Sequence, residues 1–213
     1  MPETLETLRA RMQSWLSANT TRLPDTVAND MINIVQRELC RKHDLRFLET
    51  SNTFVTVAGT AAYTLPTNWS RPYRFWYTHP DTTTVVQLEN VAKETFDAWY
   101  PDATQTALPT VYTIWGPSLF LGKTPASVLT IFREYYALLP DLSDGSPTNT
   151  NALLTNAWET LFWGALVQAS MFMFEDQRAP SWEAQYRRSE SDLVSEHARA
   201  WSSGRIPQSQ EPG

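Results

Sequence analysis

The sequence predicts an α+β fold: an antiparallel helical bundle formed by the N- and C-terminal helices, with a central strand-rich insertion of hairpins and a meander. Two observations predict it. Apolar residues recur at helical spacing near both chain ends, whereas the middle carries short β-branched and aromatic runs separated by Gly and Pro. The predicted domains are a helical bundle of residues 1–50 and 150–203, an insertion at 51–140 and a flexible tail at 204–213.

Two helices are predicted before the strands begin. The first, from about Glu3 to Ala18, has apolar residues at the spacing of one helix face. The second begins at Asp25, whose carboxylate can cap the N–H groups of the first turn, and it ends near His43. Each helix therefore has one apolar side to bury.

The predicted strands occupy the middle of the chain. Residues 53–57 and 62–65 flank a turn at Gly59 and predict a β-hairpin. Pro and Gly separate the strands that follow, and Asn90 can cap a short helix among them. These further strands are predicted at 73–78, 84–88, 111–115, 119–121 and 128–136.

Two more helices are predicted after a polar linker at 141–151. The first has apolar residues from Leu154 to Met173 over so much of its surface that we expect burial on most sides. Ser181 can cap the second helix, which is followed by a polar C-terminal end.

The composition favours a protein that works through contacts with other proteins. The 213 residues include nine Trp, eight Tyr and nine Phe, and such residues dominate contact surfaces. A formal net charge of −6, with no long basic run, argues against gripping a nucleic-acid backbone. Because Cys40 is the one cysteine, neither an intramolecular disulfide nor a thiolate metal cluster is expected.

Neither an export signal nor a membrane partner is expected. The N-terminus carries charges where a signal peptide needs an apolar run. The longest apolar stretch, Leu161 to Phe174, is interrupted by Gln168 and Ser170 and falls short of the roughly 20 residues that a span requires. The protein is therefore expected to be made in the cytoplasm.

The tripeptide Gly122-Lys-Thr124 matches the end of a phosphate-binding loop, but its context does not. That loop is G-x-x-x-x-G-K-[ST] between a strand and a helix, and Pro117 stands where the first glycine belongs. Pro125 and a strand pattern follow, where the loop requires a helix. The sequence predicts a turn in a strand meander and no nucleotide cofactor.

No residue grouping typical of catalysis is found in the sequence. His43, His79 and His197 each lack a second ligand at metal-binding spacing, and we expect them at the surface. There is no G-x-S-x-G motif, and Cys40 has no evident base partner. The sequence predicts that the protein is not an enzyme and binds no metal or cofactor.

Five stretches in a characteristic order carry a resemblance to a known family. They are DTVANDMINIVQRELCRKHDL, TVAGTAAYTLPTNW, PTVYTIWGPSLFLGKTPASVLTIFREYYALLPDLSDGSPTN, NALLTNAWETLFWGALVQASMFM, and the helix around Tyr186 with its polar tail. The sequence resembles the head-to-tail adaptor (connector) proteins of tailed bacteriophages, which dock under the portal. The likeness covers roughly residues 25–200, and the long strand-rich middle is more similar to the adaptors of short-tailed phages.

The resemblance implies a structural protein of the virion, made in the host cytoplasm and located at the head–tail junction, or neck. It implies a homo-oligomeric ring of twelve subunits between the portal and a downstream tail protein, which is a nozzle, tail hub or stopper. DNA would pass through the lumen during ejection without sequence-specific binding, and an acidic chain suits a channel that must not hold the duplex.

The C-terminal segment is implied to reach the portal. Trp201, Arg205, Ile206 and Pro207 place an aromatic, a basic and two apolar residues in an otherwise polar end. We therefore expect these four residues to form the portal-docking interface.

Two other functions are open on the sequence. One is another ring of the neck or tail, such as a stopper or tail-tube protein, although the helical ends favour an adaptor. The other is a monomeric carbohydrate-binding module, in which Trp69, Trp76, Trp99 and Trp115 stack on sugars. The flanking helix pairs argue against the second.

Overall fold

The structure is a computed structural model that describes residues 3–18, 20–102, 104–145, 149–173 and 177–202. The chain divides into two compact units. We call residues 1–48 with 139–213 the helical unit, and residues 49–138 the sheet unit. Within the described ranges there are five α-helices and seven β-strands.

The elements have the following bounds. The helices are α1 (Leu5–Trp15), α2 (Asp25–Lys42), α3 (Lys93–Trp99), α4 (Ala152–Met173) and α5 (Ala179–Ser202). The strands are β1 (Glu49–Val55), β2 (Ala62–Thr64), β3 (Trp69–Thr78), β4 (Val85–Asn90), β5 (Val111–Trp115), β6 (Ser118–Gly122) and β7 (Thr130–Ala137). One turn of 3-10 helix, Arg46–Leu48, precedes β1.

Helix α4 is the buried helix of the helical unit and contacts α1, α2 and α5. Its expected burial is confirmed, since Leu161, Ala165 and Leu166 are all fully buried. Gly164 allows α2 to approach closely, because a Cβ at this position would lie 2.6 Å from Cγ1 of Val35. The helix is not straight throughout, since Ala157 has non-helical dihedral angles and marks a kink.

The three predicted helix caps are wrong. Asp25 is the first residue of α2 but makes no side-chain cap, and its carboxylate instead accepts a hydrogen bond of 2.8 Å from Gln13. Asn90 ends β4, and α5 begins before Ser181. Helix α1 does have a capping box, formed by Thr4. A polar residue near the start of a helix thus indicates that a helix begins there, but it does not show that the side chain of that residue caps the helix.

The sheet unit consists of one seven-stranded sheet that curls into a half-barrel, with α3 beside β5. The strand order is β1-β7-β3-β4-β5-β6-β2, and all neighbours are antiparallel except β4 and β5. The sheet has its own hydrophobic core, formed by Leu65, Phe75, Tyr77, Leu88, Tyr112, Leu119, Leu121, Leu129 and Ile131.

The predicted fold class, an N- and C-terminal helical bundle carrying a strand-rich insertion, is wrong. The strands form a seven-stranded sheet with a core of its own rather than hairpins added to a bundle. The two strands expected to pair around Gly59 lie at opposite ends of the strand order, because β1 pairs with β7 and β2 pairs with β6.

The hairpin around Gly59 was predicted wrongly because each of its two strands pairs with a strand that is distant in the chain. Along β1 and β7 the register runs from Glu49 opposite Tyr136 to Val55 opposite Thr130, so the partners are far apart in the chain. The alternation of apolar residues indicates which face of a strand is buried, but it carries no information about the neighbouring strand. The hairpin of β5 and β6, which is local, matches its prediction.

Candidate docking surfaces

The helical unit exposes large apolar side chains at the end of α1 and the end of α4. Trp15 is 44% exposed, and its ring packs edge-on against Phe162 and Trp163 at centroid distances of 5.4 and 5.2 Å. Met171 and Phe172 are 61% and 45% exposed. We call Trp15, Met171 and Phe172 the exposed apolar set. Aromatic residues and Met are enriched at protein interfaces, so the set is a candidate docking surface.

This set was not expected from the sequence. The apolar residues of α4 up to Met173 were expected on one broad buried face, whereas burial ends at Ser170. The sequence did contain a signal for these two residues. Met171 and Phe172 continue the apolar run of α4, but they do not belong to the buried face that residues at i, i+4 and i+8 form.

A polar junction joins the end of α2 to α5 within the helical unit. The Glu190 carboxylate accepts a hydrogen bond of 2.6 Å from Nζ of Lys42 and lies 2.8 Å from Nε2 of His43. Burial raises the pKa of Glu190, but the hydrogen bonds with His43 and Lys42 outweigh it and hold this pKa below its ordinary value. The junction is therefore an ionic contact that is stable at neutral pH.

The three histidines, which were expected at the surface, have half-buried side chains. Nδ1 of His197 accepts a hydrogen bond of 3.3 Å from the N–H of Arg46, and Nδ1 of His79 accepts one of 3.2 Å from the N–H of Asp81. Together with the contact between His43 and Glu190, these bonds give each imidazole a structural role.

The four tryptophans of the carbohydrate hypothesis have different environments in the sheet unit. Trp76 stacks on Phe132 at 4.0 Å with nearly parallel rings, and Trp69 stacks on Tyr135 at 5.0 Å. Both are half-buried, whereas Trp99 and Trp115 are 58% and 63% exposed. The four rings therefore do not form one exposed platform of the kind a sugar stacks on.

The GKT tripeptide forms a turn after β6, as the sequence predicts. Gly122 ends the strand, and Lys123 has a left-handed φ of 67°. The N–H of Thr124 donates to the carbonyl of Gln105 at 3.0 Å, and the carbonyl of Thr124 accepts from Ala107. The backbone of the turn is thus engaged with the neighbouring chain segment, and the buried Thr124 anchors it.

A comparison with protein families shows the family to which the chain belongs. The family model described as SU10 adaptor protein matches residues 3–208, which is nearly the whole chain. The chain belongs to the SU10 adaptor protein family. The resemblance to phage head-to-tail adaptors is thereby confirmed. Among curated proteins, none matches this chain.

This SU10 adaptor is a structural phage protein, and its family docks with portal and tail proteins in the virion. The residues expected to dock with the portal fall at its C-terminus. Trp201 lies in the last turn of α5, although its side chain is not described, and Arg205, Ile206 and Pro207 lie outside the described residues.

Two further observations concern the described part of the SU10 adaptor. None of its helices there combines the length and apolarity needed to cross a bilayer. Over the same ranges, His, Cys, Asp and Glu side chains nowhere gather in a group of three or more that could hold a metal ion.

Proposed function

We propose that this chain is the head-to-tail adaptor of its phage and forms a ring of twelve subunits between portal and tail. The observation that carries the proposal is the family match over residues 3–208. The ring lies in the neck of the virion, contacts the portal on one side, and contacts a nozzle, tail hub or stopper protein on the other. Its lumen is the channel through which DNA leaves the head.

The helical unit, the sheet unit and the C-terminal segment each have their own role in this proposal. The helical unit packs one subunit against the next, and the exposed apolar set supports this role because 44–61% exposure of Trp15, Phe172 and Met171 is unfavourable in water. The sheet unit faces the next tail protein. The C-terminal segment, with Trp201, Arg205, Ile206 and Pro207, reaches the portal.

The negative net charge of the chain supports the proposal that DNA passes through the ring. The chain has a formal net charge of −6, and binding a duplex requires clustered Lys and Arg. A ring of such subunits repels the phosphate backbone over distances of about 10 Å at ordinary ionic strength, which favours conduction over retention.

The ring is tested by mixing the purified chain with purified portal and counting subunits in electron-microscopy class averages. We expect twelve copies of the chain on each portal ring. A chain that neither assembles nor binds the portal would contradict the proposal. Measuring the mass of the chain alone establishes whether the portal is needed to form the ring.

The docking residues are tested with two truncations. A chain ending at Ala200 lacks Trp201, Arg205, Ile206 and Pro207, and we expect it to bind the portal at least tenfold more weakly. A chain ending at Pro207 retains all four residues and loses only the polar end, so it is the matched control and should bind like the full chain. Equal binding by both truncations would refute the docking role.

A further inference from the structure

The segment between β7 and α4 contains the pair Asp144-Gly145, the one place in the 213 residues where glycine follows an aspartate or an asparagine. Glycine has no side chain to shield its backbone nitrogen, and that nitrogen can attack the side-chain carboxyl carbon of the residue before it. Both residues are exposed, and Gly145 has a left-handed φ of 89°. The pair is therefore a candidate site for this intramolecular reaction.

The reaction needs no outside reagent except water. The Gly145 nitrogen loses its proton and forms a bond to Cγ of Asp144, while one oxygen of the carboxyl group leaves as water. The product is a five-membered succinimide ring. Water then adds to either carbonyl carbon of the ring, which restores aspartate or gives isoaspartate, in which the main chain runs through Cβ and Cγ. The mass of the chain is the same before and after.

The Asp144 carboxylate is held by α1 and α2. Nη1 of Arg9 donates a hydrogen bond of 2.6 Å to Oδ1 of Asp144, and the side-chain amide of Asn29 donates one of 3.3 Å to Oδ2. The side chain of Arg9 is only 13% exposed, although that of Asp144 is 55% exposed. Ring closure removes one carboxylate oxygen as water and abolishes the negative charge, so it breaks the ion pair with Arg9.

The attacking nitrogen is held by Glu6 of α1. The N–H of Gly145 donates a hydrogen bond of 3.1 Å to Oε1 of Glu6. This bond is the largest influence on the pKa of the Glu6 carboxyl and helps to hold it below its ordinary value, so the acceptor is a carboxylate at neutral pH. An N–H that is bound to a carboxylate gives up its proton less readily, because two negative charges would then lie together. The side chain of Asn149 also donates to Glu6, at 3.1 Å.

We propose that Asp144 is a site of spontaneous isomerisation to isoaspartate, and that Glu6 and Arg9 of α1 slow this reaction by binding the two groups that must react. The reaction then proceeds mainly from molecules in which α1 has released the segment, so its rate reports that local opening. All of these contacts lie within the helical unit of one chain, so the proposal holds whether or not the chain forms a ring.

The first test ages the full chain at physiological temperature and neutral pH. Isoaspartate is counted by enzymatic methylation and assigned to residue 144 by fragment mass spectrometry. A capped peptide of residues 141–150 is the reference that lacks α1. We expect isoaspartate to form in both, and at least about fivefold more slowly in the chain, since one hydrogen bond changes an open population by about that factor. No isoaspartate at residue 144 of the peptide, or equal rates in peptide and chain, would overturn the proposal.

The second test removes the bond to the attacking nitrogen. Glu6→Ala deletes the acceptor of the Gly145 N–H, and we expect it to isomerise about fivefold faster than the original chain. Glu6→Gln keeps an acceptor oxygen and should restore most of the slow rate. Glu183→Ala is the matched control, because it removes a carboxylate of α5 that pairs with Arg187, and it should age like the original chain. A Glu6→Ala chain that ages no faster than this control would refute the role of α1.

Hydrogen exchange separates local release from unfolding of the helical unit. In Glu6→Ala the Gly145 amide should exchange about fivefold faster, whereas the Leu142 amide, which donates to Asn33 at 2.8 Å, should keep its original rate. If both amides exchange faster, Asp144→Asn in the otherwise original chain replaces this variant. Its amide closes the same ring with loss of ammonia, and the acid that forms is heavier, so intact mass follows the reaction. Deamidation as fast as in the matching Asn peptide would contradict the proposal.

Discussion

Asn33 on α2 and Leu142 in the segment before α4 form two reciprocal hydrogen bonds. The side-chain amide of Asn33 donates to the carbonyl of Leu142 at 3.0 Å and accepts from its N–H at 2.8 Å. Both residues are buried. Gln36, one helical turn further on, donates to the carbonyl of Pro140 at 2.8 Å. These bonds fix to α2 the segment that the sequence predicts only as a polar linker.

Asn33→Leu is expected to lower the free energy of unfolding of the helical unit by about 2–4 kcal/mol, because it leaves the buried N–H and carbonyl of Leu142 without partners. Urea denaturation followed by helical circular dichroism measures this value. Asn156→Ala is the control, since Asn156 is exposed and, among the described contacts, its side chain bonds only the Ala152 carbonyl of its own helix. A loss in Asn33→Leu no larger than in the control would contradict the prediction.

Gly164→Ala is expected to destabilise the helical unit by about 1–3 kcal/mol, because the new Cβ overlaps Cγ1 of Val35 at 2.6 Å and approaches Tyr186 at 3.0 Å. Without that overlap, Ala in place of Gly would stabilise a helix interior by about 1 kcal/mol. Val35→Ala removes the overlapping atoms. In a double-mutant cycle we therefore expect the pair to be more stable than the sum of the single changes, and strict additivity would refute the contact.

Glu190 is expected to make the helical unit sensitive to acid. Its pKa is lower in the folded chain than the ordinary 4.5 of the unfolded chain, so its contribution is fully present above about pH 4.5. The contribution is lost as the pH falls through the lower, folded value. Glu190→Gln should therefore cost about 1 kcal/mol at pH 7, and its difference from the original chain should shrink below pH 4.5.

Thermal melts at pH 7 and across the range below pH 4.5 measure this dependence. Glu183→Gln is the matched control on the same helix, because Glu183 is 49% exposed and pairs only with the exposed Arg187 among the described contacts. We expect this control to melt like the original chain at every pH. A constant gap between Glu190→Gln and the original chain would show that the carboxylate does not titrate as described.

Substitutions in the GKT turn are expected to change the stability of the sheet unit, as in a structural turn. Gly122→Ala should destabilise the sheet unit by about 1–3 kcal/mol, because the added Cβ collides with Val111 and lies 2.7 Å from Tyr100. Lys123→Gly should instead stabilise it by about 0.5 kcal/mol, since glycine adopts a φ of 67° without the strain that lysine bears. Differential scanning calorimetry distinguishes the two, and a destabilised Lys123→Gly would contradict the turn.

Local features were predictable from the sequence. Helix α2 was expected from Asp25 to about His43 and is observed at Asp25–Lys42, because an 18-residue amphipathic pattern leaves little choice of period. The hairpin of β5 and β6 was likewise found, since its strands are separated by a tight turn at Gly116. The family resemblance also rested on such local stretches in their order.

The exposure of the apolar set and the change of partner along β4 were not predictable in the same way. Met171 and Phe172 continue the apolar run of α4 in the sequence, but their exposure depends on where the neighbours of that helix end. Strand β4 exchanges β3 for β5 after Leu88, and the residues of β4 do not by themselves indicate that exchange. The predicted docking residue Arg205 lies outside the described residues, so that prediction stands untested.

The sequence by itself determined the helices, most strands, the acidic charge and membership of the SU10 adaptor family, because each of these depends on residues close together in the chain or on composition. Only the tertiary structure decided the pairing of β1 with β7, the single seven-stranded sheet and the change of partner along β4. The reason is physical: the alternation of a strand selects the face that it buries, whereas its partner is selected by packing over the whole sheet.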